Sequence, residues 1–305
     1  MPEGHTLHRL ASALDRAFAG TRPDTSSPQG RFVEGAALLS GRLVERAEAW
    51  GKHLFVTFEG DRILSVHLGL IGVFDVSPYA GGLGSEPPPV GAVRVRLVNE
   101  THVADLRGAT VCEVISPEQV DAIVARLGPD PLRAGQIGND PGRVLGKLAT
   151  SGRPFAELLM DQSVLAGVGN VYRSEVLFRH RVDPFRPGRE IRPATWRAIW
   201  DDLVALMPIG AAFGQIITLD EQLAVARELI ASGEPTAYAV SWQGGLEGES
   251  RRVRRPAYES ESPLPREYAV YKRAGEDCPT CGSRVRTRVV AGRNLFWCGR
   301  CQRRR

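Results

Sequence analysis

Four of the five cysteines lie in the last twenty-eight residues, as Cys278-x2-Cys281 and Cys298-x2-Cys301, with sixteen residues between the pairs. No other feature constrains the fold as strongly. Two CxxC pairs at this distance are suited to enclosing one tetrahedral zinc ion, each pair offering two thiolates from a tight turn. Gly282 and Gly299 follow the pairs and permit the turn geometry. A redox pair or disulfides fit this spacing less well in an intracellular chain. Four protein sulfurs leave no open coordination position, so the expected metal is one structural zinc. The intervening RVRTRVVAGRNLFWC reads as two short strands that turn at Ala291-Gly292. The result is a metal-stapled hairpin carrying Arg284, Arg286, Arg288 and Arg293. Spacing alone suits such a basic hairpin to DNA or to protein docking. The fifth cysteine, Cys112, stands in the apolar ATVCEVI and is expected to pack in a core.

A module this small accounts for little of a 305-residue chain, whose length implies about two domains. From Glu34 to Val114 the chain reads as β-rich, with short alternating runs such as HLFVTFEG and RILSVHLGLIGVFDV. The loop SPYAGGLGSEPPPV interrupts it, since three consecutive prolines continue neither strand nor helix. Before it, Thr6 to Phe18 has apolar residues at helical spacing. From Ser116 the pattern is helical: SPEQVDAIVARLG, GRVLGKLAT, RPFAELLMD, ATWRAIWDDLVALM and LDEQLAVARELIAS. The Gly-, Ser-, Arg- and Glu-rich stretch after the last of these reads as a mobile linker or loop.

The expected fold class is therefore α+β: an amino-terminal β-rich domain over 1–115, a helical domain over 116–232, a linker over 233–267 and a zinc hairpin over 268–305. The last fifty-five residues, from Arg251, hold fifteen Lys or Arg against five Asp or Glu, and the rest of the chain is net acidic within a total of +4. Such a basic block suits a polyanion partner or a solvated tail equally. No apolar run approaches the roughly 18 residues of a membrane span, and MPEGHTLHRL has no signal-peptide core. An intracellular, cytoplasmic location is expected.

Two further stretches bear on chemistry. In LLMDQSVLAGVGNVYRSEVLFRH, one helix is expected to end at Gly167 and a second to open after Gly169 and Asn170. The junction exposes backbone N–H groups at a helix start, which is an anion site, although a Gly-rich tight turn alone explains it as well. At the start, MPEG favours loss of Met1, because proline is small. Pro2 would then be a secondary amine with an α-amino pKa of roughly 8, well below that of lysine, and hence a nucleophile near neutral pH. Glu3 beside it could move a proton. Alone, this opening is a weak signal.

Together and in order, these stretches resemble the formamidopyrimidine-DNA glycosylase/endonuclease VIII family, on the side of its actinobacterial endonuclease VIII-like branch. The matching residues are MPEGHTLHRL, AWGKHLF, VHLGLIG, ARLGPDPL, LLMDQSVLAGVGNVYRSEVLFRH, YKRAGEDCPTCG and GRNLFWCGRCQ. The resemblance implies an amino-terminal antiparallel β-sandwich with flanking helices, a helix–two-turn–helix domain and a carboxy-terminal zinc β-hairpin held by four cysteines. It implies Pro2 as Schiff-base nucleophile and Glu3 as proton donor to the sugar ring oxygen. It implies Lys52, in the GKHLF strand, as a second cation aiding elimination, and Arg293 as a phosphate grip at the hairpin tip. Asn170 and Arg126 would contact the DNA backbone, and Leu70 would enter the base stack after the damaged base leaves.

The resemblance has departures. Thr6 stands where the family often has a second acidic residue. DLRGATV, from Asp105 to Val111, lacks the aromatic stack filler, and Arg107 is followed by Gly108. The segment around RRVRRP has no counterpart. The expected activity is that of a bifunctional DNA glycosylase and abasic-site lyase in base excision repair, acting on oxidised pyrimidines by β,δ-elimination, as a monomer on damaged DNA with no organic cofactor. The alternatives are an oxidised-purine glycosylase and a non-catalytic damaged-DNA-binding protein.

Overall fold

The computed structural model describes residues 2–233 and 262–303. Met1, the RRVRRP segment and most of the stretch expected as a linker lie outside the described residues. The chain forms two compact units, one built mainly from Thr6–Ala122 and the other from Glu3–His5, Ile123–Thr236 and Leu264–Arg305.

The first unit contains helix α1 (Gly4–Phe18) from Thr6 onward, followed by β1 (Asp24–Ser26) and α2 (Val33–Leu39). Strands β2 (Val44–Trp50), β3 (His53–Phe58), β4 (Arg62–His67), β5 (Val73–Pro78), β6 (Val93–Val98), β7 (His102–Arg107) and β8 (Val111–Ile115) follow. They form two four-stranded antiparallel sheets, in the orders β1-β6-β7-β5 and β2-β3-β4-β8. Leu7, Leu10, Leu14 and Phe18 form the buried stripe of α1 in the same core as Leu54, Val56, Phe74, Leu97 and Leu106. Each such side chain contributes roughly 1.5–3 kcal/mol of burial.

The stretch from Glu34 opens on a helix rather than a strand. Val33–Leu39 is helical because VEGAALL buries Ala36 and Leu39 at a three-residue spacing and is rich in helix formers. Lys52 lies one residue before strand β3. With Gly51, whose φ is 57°, it makes the two-residue turn between paired Trp50 and His53.

The second unit contains α3 (Pro117–Ala125) in part, then α4 (Arg143–Ala149), α5 (Phe155–Leu158), α6 (Asn170–Arg179), α7 (Pro193–Phe213) and α8 (Asp220–Ser232). It ends in the antiparallel hairpin β9 (Val285–Val290) and β10 (Arg293–Cys298). Its core joins Leu165, Tyr172, Val176, Trp196, Leu203 and Met207 with Leu295 of the hairpin. A smaller core around Val270, Val285 and Phe296 includes Cys278 and Cys298.

The helix expected to run to Gly167 stops at Leu158. Beyond it, side chains capture the backbone bonds that would have continued it. Asp161 accepts from the Ser163 N–H and hydroxyl, while Gln162 donates to Met160 O and Val168 O and accepts from Gly167 N. The result is a stiff turn that leads into α6.

Candidate active site

The turn at 167–172 receives the start of the chain. Gly4 N donates to Gly167 O at 2.7 Å. The two glycines lie back to back, and a Cβ on Gly4 would fall 2.8 Å from Gly167 Cα. Gly167 itself has φ +83°, a conformation that side chains rarely adopt. The anion site at the α6 start exists, and the chain fills it with its own carboxylate. Glu3, fully buried, accepts from Gly169 N and Val171 N at 2.8 Å each and from Tyr172 N at 3.5 Å. These are N–H groups that no intrahelical carbonyl can satisfy, and a negative side chain there is favoured by the helix dipole. Gly169 is required for space, because a Cβ would lie 2.4 Å from the Glu3 carboxyl carbon. Pro2, also buried, precedes Glu3 directly.

Asn170 opens α6 and is buried. Its amide nitrogen donates to Asn294 O of β10 at 2.9 Å, and its amide oxygen accepts from Arg173. The Arg173 guanidinium lies within electrostatic range of both Glu3 and Arg293, so Glu3, Arg173 and Arg293 form one charged cluster, to which Asn170 is hydrogen-bonded through Arg173. Arg293 is half-buried beside the turn Ala291-Gly292 and lines a recess of about 330 Å³ with Arg153, Glu157 and Met160. Arg126, by contrast, is exposed at the end of α3, with no side-chain bond tying it to this cluster among the described residues.

The first unit carries a separate group. Lys52 is close enough to His67 to act on it electrostatically, and burial together with this cation pushes the His67 pKa below its ordinary value. Gly69 N donates to His67 Nδ1 at 3.1 Å, so that nitrogen is unprotonated in this arrangement. Leu70 follows on the β4–β5 turn, 52 % exposed, with Ile71 beside it at 81 %. Arg107 is fully engaged: its guanidinium donates to Asp75 and Asp105 at 2.7 and 2.9 Å and to Val90 O at 2.7 Å. Thr6 is buried. Cys112 packs against the core, and burial pushes its thiol up to about 12, so it is inert at neutral pH.

The four remaining cysteines meet. Their sulfurs lie within 4.8 Å of one another, with Cys278–Cys301 at 3.8 Å and Cys281–Cys298 at 3.5 Å. Tetrahedral zinc with Zn–S bonds of about 2.3 Å separates its sulfurs by about 3.8 Å, so the donor set fits one structural zinc ion with no position left for substrate. Cys301 N donates to the Cys298 sulfur at 3.4 Å, the kind of outer bond that fixes a thiolate ligand.

Sequence reasoning passed over Arg173, Glu175 and His67. Glu175 is fully buried and accepts from Ala269, Val270 and Tyr271 N and from the Thr218 hydroxyl, tying the approach to the zinc hairpin onto α6. The available signal was a pair of opposite charges, two residues apart, in NVYRSEVLF between the apolar Val171 and Val176-Leu177-Phe178.

Known proteins match this chain along nearly its whole length. The formamidopyrimidine-DNA glycosylase N-terminal domain matches residues 1–112, the formamidopyrimidine-DNA glycosylase H2TH domain residues 127–221, and the zinc finger found in FPG and IleRS residues 275–304. Endonuclease 8 1 of Mycobacterium tuberculosis is 46% identical over 304 residues, 99% of this chain and 100% of that protein. Formamidopyrimidine-DNA glycosylase of Thermus thermophilus is 33% identical over 270 residues, 87% of this chain and 85% of that protein. Among solved structures, a complex of Lactococcus lactis Fpg with DNA containing N7-benzyl-Fapy-dG superposes with a TM-score of 0.74 at 19% identity, covering 99% of this chain and 100% of that one. With three domain models matched in order and a full-length relative at 46% identity, the chain belongs to the formamidopyrimidine-DNA glycosylase/endonuclease VIII family.

Proposed function

We propose that this enzyme of DNA repair is a bifunctional glycosylase and abasic-site lyase that excises oxidised pyrimidines, with Pro2 as its nucleophile. The observation that carries the reading is the Glu3 carboxylate clamped on the α6 start, which fixes the residue after Pro2 to within hydrogen-bond precision. In a chain trimmed to Pro2, the secondary amine attacks the anomeric carbon of a flipped nucleotide. The C–N bond to the damaged base breaks as the new one forms. Glu3 passes a proton to the sugar ring oxygen, and the ring opens to an iminium. That cation acidifies the neighbouring C–H, so loss of a proton expels the 3′ phosphate, and a second elimination expels the 5′ phosphate.

Lys52 and Arg293 supply positive charge for the departing phosphates, Asn170 and Arg126 hold the DNA backbone, and Leu70 fills the emptied stack. The zinc supplies rigidity to the hairpin and takes no part in bond making. Preference for pyrimidines is supported by Arg107, whose guanidinium is committed to Asp75 and Asp105 and which is followed by Gly108 with no aromatic stack filler. The expected setting is the bacterial cytoplasm, with the protein acting as a monomer on nucleoid DNA.

Borohydride reduction with abasic duplex DNA tests the mechanism. A covalent adduct is expected, absent in Pro2→Gly. An adduct of undiminished yield in Pro2→Gly would remove Pro2 from the role, and no adduct with the native chain would favour a non-catalytic DNA binder. Thymine glycol and 8-oxoguanine in matched duplexes decide the substrate: faster release of 8-oxoguanine would move the enzyme to the purine side.

A further inference from the structure

Arg173 is fully buried. Among the described residues its hydrogen bonds go to neutral oxygens. One guanidinium nitrogen donates to the Asn170 amide oxygen, and the other reaches Val290 O at 3.3 Å and Ala156 O at 3.4 Å. The Nε has no partner among those residues. A buried cation without a paired carboxylate is costly, and a bridge of three elements is what this one provides. Ala156 lies in α5, Asn170 at the start of α6 and Val290 at the end of β9.

Val290 is the last residue before the hairpin turn and pairs directly with Arg293. The turn is held in the left-handed region at both residues, Ala291 with φ 50° and Gly292 with φ 70°. It leaves little freedom between Val290 O and Arg293. The other side of the tip is held as well, since Asn170, oriented by Arg173, donates to Asn294 O. Burial and the like charge of Arg293 push Arg173 down to about 10, with Glu3 opposing them, so it stays a cation at neutral pH.

We propose that Arg173 is a positioning residue that sets the hairpin tip, and through it Arg293, against the start of α6, without itself touching DNA. The inference rests on the reading that Arg293 grips phosphate. Its test is a double-mutant cycle on the full chain, with affinity for duplex DNA holding a tetrahydrofuran abasic analogue measured at several salt concentrations. Zinc content and thermal melting are checked for every variant.

R293A is expected to weaken binding about tenfold and to lower the salt slope by about one phosphate contact. R173M is expected to do the same although the residue is buried. The double variant is expected to fall within about twofold of the weaker single, because both remove one contact. R173K keeps the charge but not the planar fork. It is expected to hold zinc and to bind as poorly as R173M, and it carries the cycle if R173M does not fold.

Losses that multiply in the double variant, or an unchanged salt slope in a folded Arg173 variant, would overturn the proposal. So would R173K binding like the native chain. If R293A binds like the native chain, the phosphate reading of Arg293 has failed. A native chain that ignores the analogue fails the functional reading itself.

Discussion

Glu175→Gln isolates the bond set that ties the zinc hairpin to the helical core. The carboxylate accepts four bonds: Val270 N at 3.0 Å and Tyr271 N at 2.9 Å on one oxygen, Ala269 N at 2.9 Å and the Thr218 hydroxyl at 3.0 Å on the other. An amide keeps one acceptor oxygen and so two of the four. The Thr218 hydroxyl can rotate to accept from the new NH2 group, but the Ala269 N–H cannot. It is left facing a donor, fully buried, at a cost of about 1–3 kcal/mol. The two retained bonds also lose their ionic character, in which hydrogen bonds are roughly twice as strong as neutral ones. The total is about 3 kcal/mol, or about 6–12 °C in melting temperature for a unit of this size.

The damage should be local. Amide exchange at Ala269–Tyr271 and along the hairpin should speed up well before the α7 core opens. Circular dichroism melting and hydrogen exchange by mass spectrometry measure both. A melting point within about 1 °C of the native chain, or exchange that rises equally everywhere, would refute the assignment of these bonds as the hairpin's anchor.

Gly169→Ala places a methyl 2.4 Å from the Glu3 carboxyl carbon, so trapping with abasic DNA should drop at least tenfold with zinc content unchanged. Stripping the metal with a thiol-reactive reagent should release one zinc per chain, read with a colorimetric chelator, and abolish DNA binding, because the four-cysteine site staples the hairpin. His67 should titrate below 6.5 by NMR. Since its folded pKa is depressed, its share of stability is present above the unfolded pKa of about 6.5 and is lost as pH falls through the folded value. A melting curve flat across that window would contradict it. Lys272 has φ 59°, and Lys272→Gly should raise stability by about 1 kcal/mol in urea unfolding, by relieving the left-handed backbone.

The zinc hairpin was readable residue by residue, turn included, because thiolate spacing and strand alternation are local signals. Helices α1, α4 and α8 were readable for the same reason, each burying one stripe. The helix drawn to Gly167 was not, because bonds from Asp161 and Gln162 outcompete an apolar pattern that is also helical. The helix junction was recognised as an anion site, but its anion lies 166 residues away in Glu3, and no local pattern records that pairing. Arg173 and Glu175 stayed hidden because a charge in a helix is normally read as solvent-facing. Only tertiary packing reverses that for two residues of one short segment.

The docking of Glu3 and Gly4 on residues 167–172 also orders events during synthesis. The residues proposed for the chemistry leave the ribosome first, yet the N–H groups that hold Glu3 belong to a turn made more than 160 residues later. At about 5–20 residues per second, the chain start waits on the order of ten seconds or more for its socket. A fragment that stops short of α6 would have the amine and no means to aim it. Under the proposed roles of Pro2 and Glu3, lyase activity begins only after the second unit has formed.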